Sequence, residues 1–262
     1  MTLEFHRIDF RYTRKAGLFA GFALRIDDPA TVLLGPNGAG KSTLMALAAS
    51  QLAPRQGSVS WRGRTPTGHD GRAAYRRAVA WLPQQVTPVP GLSVREQVAY
   101  CGWLKGMSRA EAWQASAGAL ERVGLAPLAD RRSHRLSGGQ LRRLGIAGCL
   151  AHRSELILMD EPTAGLDPAQ RGMFRTLVED LAGEVSVIVS THQTEDLAAT
   201  YRHVVVLDQG RVRFQGGIGE FHALATATSP DTGPDTGPGT GGGTAPGTDA
   251  EAAYTRLVER EA

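Results

Sequence analysis

The stretch TVLLGPNGAGKST, Thr31 to Thr43, constrains this chain more than any other. A compact run of β-branched and leucine residues ends in a glycine, as a buried strand does, and the chain then turns through glycines to Lys41. The spacing G-x-x-x-x-G-K-[ST] over Gly35 to Ser42 predicts a loop wrapped around phosphate oxygens and a helix that opens at Lys41. Gly35, Gly38 and Gly40 let backbone amides turn inward, Lys41 brings a point charge to the β- and γ-phosphates, and Ser42 offers its hydroxyl to Mg²⁺.

Such a loop is shared by kinases, GTPases and ATPases, so other residues must choose among them. Asn37 is the only asparagine in the chain, which excludes the N-K-x-D element that reads guanine. In LILMDEP, four apolar residues place Asp160 and Glu161 just past the end of a buried strand, where open α/β sheets bind ligands. Asp160 would hold Mg²⁺, and Glu161 would orient or deprotonate an attacking water. A small-molecule kinase would leave that acid pair unexplained. His192 ends the strand SVIVSTH and opens on the same crevice, which suits a γ-phosphate contact. Gln84, after Pro83 in WLPQQ, has an amide that could ligate Mg²⁺ and touch the water.

A second anion-holding helix start stands in LSGGQLRRLGIAG. Ser137 caps the helix, Gln140 completes a capping box, and Gly138 and Gly139 leave amides open at the positive end of the helix dipole. Without the first site, this would read as an ordinary turn and capped helix.

The rest of the chain predicts an α/β fold. Short strand-like pieces over residues 2 to 26, and SVSWRG, form an N-terminal β portion; ELILMDE, VSVIVSTH and HVVVLDQG alternate with helical stretches, as parallel strands covered on both faces do. From Leu92 to about Ala151 the pattern is helical. Ser93 with Glu96 and Ser108 with Glu111 form capping boxes, Val94, Val98, Cys101 and Leu104 share a face, and the second helix stops at Gly124. This block is expected to be an inserted lobe with its own packing surface. Residues 229–249, rich in Gly, Thr and Pro, cannot bury enough apolar surface to fold and form a tether spanning about 25 Å. Residues 250–262 then carry a short apolar face, Ala253, Tyr254, Leu257 and Val258, that must dock somewhere.

Net charge +3, from 29 basic and 26 acidic residues, gives no case for a nucleic-acid partner, and Arg142 and Arg143 read as solvated surface. Cys101 and Cys149, without CxxC spacing, read as buried thiols of a reducing compartment, the cytosol. No segment approaches a membrane span, so any membrane role is borrowed from a partner.

Together these motifs resemble the nucleotide-binding subunit of ATP-binding cassette (ABC) transporters over roughly residues 3 to 225. GPNGAGKST is similar to Walker A, LSGGQ to the family signature, LILMDE to Walker B, Ala164 to Asp167 to the D-loop, STH to the switch histidine and Gln84 to the Q-loop glutamine. The resemblance implies a P-loop NTPase core with a mainly parallel sheet, an N-terminal antiparallel β subdomain and an inserted α-helical subdomain, within an ATP-binding domain of residues 1–228.

It further implies ATP and Mg²⁺ held by Gly35, Pro36, Asn37, Gly38, Ala39, Gly40, Lys41, Ser42 and Thr43, with Tyr12 stacked on adenine. Catalysis would fall to Glu161, His192, Gln84 and Lys41, and metal binding to Ser42, Gln84 and Asp160. Ser137, Gly138, Gly139, Gln140 and Asp167 would serve the nucleotide of a second subunit paired head to tail. An integral membrane permease would hold the chain at the inner face of the cell membrane, with TPVPGLSVREQV at the contact.

Two departures stand out: Gln85 duplicates Gln84, and RIDDPATVLLG lacks the glycine usual before the Walker A strand. The terminal AAYTRLVER and the LSVREQVAYCGWLKG segment resemble those of exporters, against an importer alternative. A soluble cassette acting on translation or DNA would carry two ATP sites or long coiled coils, and this chain has neither. A scaffold that grips ATP without turnover would lack Glu161 or His192.

Overall fold

The computed structural model describes residues 2–13, 17–194, 197, 201–226 and 246–259. Its centre is a six-stranded sheet in the order β5-β6-β7-β3-β8-β9. The strands are β5 (Val79–Leu82), β6 (Leu156–Asp160), β7 (Ser186–Thr191), β3 (Ala30–Leu34), β8 (His203–Asp208) and β9 (Arg211–Gly217). All neighbours pair in parallel except β8 and β9, a hairpin that closes one edge antiparallel.

Strand side chains alternate between faces, and here both faces are apolar. Val32, Leu34, Ile157, Met159, Val187, Val189, Val204 and Val206 enter one buried cluster. Leu33, Leu156, Leu158, Ile188, Val205 and Leu207 enter the other. A sheet wet on neither face must be covered twice, and it is.

On the second face lies the helix α1 (Lys41–Ala48), buried along nearly its whole length. Beside it sits the antiparallel sheet of β1 (Leu3–Phe10), β2 (Phe19–Ile26) and β4 (Gln56–Trp61), ordered β2-β1-β4. The helix α2 (Gly68–Ala78) leads from it into β5. On the first face lie α6 (Pro168–Ala182), with Phe174, Leu177, Val178 and Leu181 at helical spacing, and α7 (Ile218–Thr226).

Between β5 and β6 stand α3 (Val94–Leu104), α4 (Arg109–Arg122) and α5 (Gly138–Ala151). All three open on complete capping boxes. The three helices pack mainly on one another, and Val98, Leu120, Leu144 and Ala147 continue into the same buried cluster as the sheet residues Ala80, Leu82 and Ile157. Helix α5 makes the joint. A Cβ on Gly145 would lie 2.4 Å from Leu82 Cδ1 and 2.7 Å from Val86 Cγ2, so a larger residue would have to displace those side-chain ends where α5 meets β5. The shared face of α3 ends earlier than its sequence period suggests: Val94 and Val98 are buried, Cys101 is half-buried and Leu104 is exposed. Cys149 is buried, and both thiols are free.

The expected tether lies mostly outside the described residues. Its last four residues belong instead to α8 (Pro246–Glu259), which starts earlier than expected because proline suits a first helical turn. This helix packs on α7, with Ala250 and Ala253 buried and Tyr254 and Leu257 against the core. Among the described residues, no helix is long and apolar enough to cross a membrane.

Candidate active site

Strands β3, β6 and β7 all end at one edge of the sheet, and the polar residues just beyond them converge there. Gly35 directly follows β3 and passes so close to the neighbouring strand that a Cβ would lie 2.1 Å from the Leu207 carbonyl oxygen. Gly38 and Gly40 take φ of 86° and 105°, left-handed values that side chains resist. The loop is pinned at both ends: Gly35 N donates to Thr191 O at 3.3 Å and Gly210 N to Ala39 O at 3.0 Å. Within it Ala39 N donates to Pro36 O, and Asn37 and Gly38 face solvent.

Lys41 is buried, and its Nζ donates to Gly35 O at 2.7 Å and Pro36 O at 3.0 Å and lies 3.6 Å from Glu161 Oε1. Burial lowers the ammonium's pKa below its ordinary value, while Glu161 and Asp160 oppose that shift. Ser42 Oγ donates to Asp160 Oδ1 at 3.1 Å, so the first helical turn and the end of β6 already share one oxygen cluster. Tyr12 leaves its ring 67% exposed, packs edge-on against Phe10 and bonds Thr43 Oγ1 at 2.9 Å, placing an open aromatic face beside the loop.

Glu161 is the meeting point. Its Oε1 lies 3.2 Å from His192 Nδ1, and its Oε2 accepts from Gln84 Nε2 at 3.3 Å. Gln84, rather than Gln85, reaches the acid. The backbone of Glu161 sits at φ 42°, a strained value for a non-glycine residue, and is held there by its amide donating to Ser190 O at 3.1 Å and to Ser190 Oγ at 3.0 Å. Ser190 Oγ in turn donates to Asp160 Oδ1 at 2.6 Å.

Sequence reasoning missed Ser190. Its only signal was a hydroxyl in an otherwise apolar strand, and it proves fully buried between both acids. Arg142 was also misread: it is buried, and its Nη1 donates to Pro83 O at 3.2 Å and to Gln84 O. Arg143 reaches Val123 O.

The second helix start lies apart from this cluster. Ser137 Oγ accepts from Gln140 N at 3.3 Å and Gln140 Oε1 from Ser137 N at 3.0 Å, while space around the Cα of Gly138 is open. Gly139 faces the Gln170 carboxamide, and Ser137, Gly139, Gln140, Leu166 and Gln170 help line a cavity of about 220 Å³ that no Walker A residue lines. Asp167 caps α6, its Oδ1 accepting from Gln170 N at 2.8 Å.

Do these groups suit Mg²⁺? Ser42, Asp160 and Gln84 offer a hydroxyl, a carboxylate and an amide, all hard oxygen donors, with Ser42 and Asp160 already adjacent. One carboxylate is what Mg²⁺ needs when phosphates supply the other ligands. Among the described residues no cluster of three His, Cys, Asp or Glu could hold a metal without such help.

A P-loop at the carboxyl edge of a parallel sheet, with two acids and a histidine facing it, defines a nucleotide-hydrolysing ATPase of the P-loop class. The family profile described as ABC transporter matches residues 27–164, and this chain belongs to that family. The cobalt import ATP-binding protein CbiO of Rhodobacter capsulatus is 40% identical over 188 residues, 70% of this chain and 67% of that protein. The linearmycin resistance ATP-binding protein LnrL of Bacillus subtilis is 32% identical over 181 residues, 69% of this chain but only 58% of its own length. Among solved structures, cbiO1 of Clostridium perfringens, part of the ABC transporter complex cbiONQ, superposes with a TM-score of 0.74 at 28% identity, covering 84% of this chain and 90% of that one. The dimeric structure of a bacterial ABC transporter cassette gives 0.73 at 25% identity, covering 82% and 98%.

Proposed function

We propose that this chain is the ATP-hydrolysing motor subunit of an exporter, pairing head to tail with a second cassette subunit and driving a separate membrane permease. One observation carries the catalytic part: the Glu161 carboxylate lies within 3.6 Å of Lys41, 3.3 Å of Gln84 and 3.2 Å of His192. A base so placed can orient a water and accept its proton, while the histidine holds the γ-phosphate through the nitrogen that does not face Glu161. Lys41 exchanges its two carbonyl partners for β- and γ-phosphate oxygens, and the amides of residues 35 to 43 surround them. Tyr12 stacks on the adenine. Ser42, Asp160 and Gln84 would hold Mg²⁺, which would supply positive charge to offset that of the phosphates.

Head-to-tail pairing is supported by the separation of the two helix starts, each suited to an anion, and by likeness to a dimeric cassette. Ser137, Gly138, Gly139, Gln140 and Asp167 then meet the partner's nucleotide. Contact with a permease, and a location at the inner face of the membrane, is supported by the exposed Tyr100, Trp103 and Leu104 beside the groove between α3 and β5. Export is supported by the exporter-like terminal helix and by the linearmycin-resistance relative, although cobalt-import relatives share the same core. Residues 229–245 link that helix, α8, to the ATP-binding domain.

Replacing Glu161 by glutamine tests the core of this reading. Hydrolysis should fall at least about a hundredfold, while ATP should still drive stable dimers in size-exclusion chromatography. Hydrolysis at the wild-type rate would overturn the assignment of the base. For direction, ATP-dependent cargo uptake into inverted vesicles carrying the co-purified permease supports export, and uptake into right-side-out vesicles supports import.

A further inference from the structure

Helix α5 carries the signature residues at its start and Arg142 in its second turn. The side chain of Arg142 is buried, and a guanidinium taken out of water needs partners to hold it. The partners it has are two consecutive carbonyls of the Q-loop, Pro83 O and Gln84 O, with the Asp160 carboxylate near enough to favour its charge. Gln84 therefore faces two ways. Its amide touches Glu161 and its carbonyl holds α5.

We propose that Arg142 is a positioning residue that hangs the signature helix from the Q-loop, so that Gln84's engagement at one nucleotide sets how Ser137 to Gln140 are presented to the partner's nucleotide. The link is short and stiff. Arg142 is a few residues from the capping box, on a continuous helix of 14 residues wedged against β5 at Gly145. A displacement of the Q-loop backbone must move the helix start or break a charged hydrogen bond. This inference rests on the head-to-tail reading above.

The test uses the full chain carrying Glu161→Gln, in which ATP-driven dimers accumulate, and reads the dimer dissociation constant by analytical ultracentrifugation. Adding Arg142→Met should weaken ATP-driven dimerisation about tenfold or more, the factor expected for lost charged hydrogen bonds. Binding of a fluorescent ATP analogue to the dilute monomer should change less than about twofold, because Arg142 touches no Walker A residue. Arg142→Lys should recover most of the affinity.

Dimers of the methionine variant as tight as the parent's would overturn the proposal. Should the methionine variant fail to melt cooperatively, Arg142→Gln against Arg142→Lys decides, with equal affinities overturning the link. A parent that stays monomeric in saturating ATP overturns the dimer reading along with this one; a parent that dimerises equally with or without Arg142 overturns this one alone.

Discussion

At the start of α1 the cap position is Gly40, and no side chain accepts from the first amides. At the start of α5, Ser137 and Gln140 satisfy each other's amides in a closed box, leaving only those of Gly138 and Gly139 open. Both helices lack an acid in the first turn, so neither positive dipole end is neutralised by its own chain. The difference lies in what else is there. Beside α1 stand a buried lysine, a carboxylate pair and a histidine; beside α5 stand an exposed serine, two glycines and a carboxamide. The first start is built to act on a phosphate, and the second to present a fixed shape to one.

If that contrast is right, its two sides fail differently. Lys41→Met should bring the largest loss, a fall in hydrolysis of roughly a hundred- to a thousandfold, the range for removing a donor aimed at developing charge. Isothermal titration should show ATP affinity falling with it, because that lysine meets the chain's own nucleotide. A methionine variant that binds and hydrolyses ATP normally would erase the distinction between the two helix starts.

Both helix starts were legible in the sequence because each is local. The loop is fixed by glycines at set spacing, and all three predicted capping boxes are present in the helical lobe. What could not be read depends on partners far along the chain. Ser190 looked like one polar residue in an apolar strand until β6 and β7 paired and set its hydroxyl between Asp160 and Glu161. Arg142 looked like half of a solvated pair until the Q-loop folded over it. Leu104 kept the helical period yet lies at the end of α3, past the point where sheet and α5 cover the helix. The hairpin strand β9 and the short β5 lack a periodic run long enough to announce themselves, and tertiary pairing makes them strands.

The far end of α5 extends the contrast with α1, since it is anchored by a neutral group where α1 is anchored by a charged one. His152 stands at the C-cap, its Nδ1 3.2 Å from Gly148 O and its Nε2 buried without a partner. Burial pushes its pKa down to about 4 from 6.5, nearby Lys105 adds to that shift, and the Gly148 carbonyl opposes it. As pH falls from 6.5 toward 4 the unfolded chain takes up a proton that the folded chain refuses, so stability falls across that window and this contribution levels off below it. The loss amounts to at most roughly 3 kcal/mol. Thermal melts of His152→Gln against wild type should show a shallower decline between those pH values, and parallel curves would remove His152 as the anchor.

The smallest effect should come from Ser137→Ala, and it separates the two helix starts most sharply. Losing the cap hydroxyl leaves Gln140 N without its acceptor, which costs about 1 kcal/mol of helix stability. The alanine keeps the backbone amides of Gly138 and Gly139, so an anion can still be met there, though by a helix start that frays more readily. Nucleotide binding to the dilute monomer should therefore match wild type, since Lys41, Asp160 and Glu161 are untouched. Hydrolysis should drop about fivefold, in keeping with that stability loss, and the drop should shrink as enzyme concentration rises, because added protein offsets weaker pairing. A Ser137→Ala defect that is independent of enzyme concentration and accompanied by weaker monomer binding would mean that α5 serves its own chain's nucleotide, as α1 does.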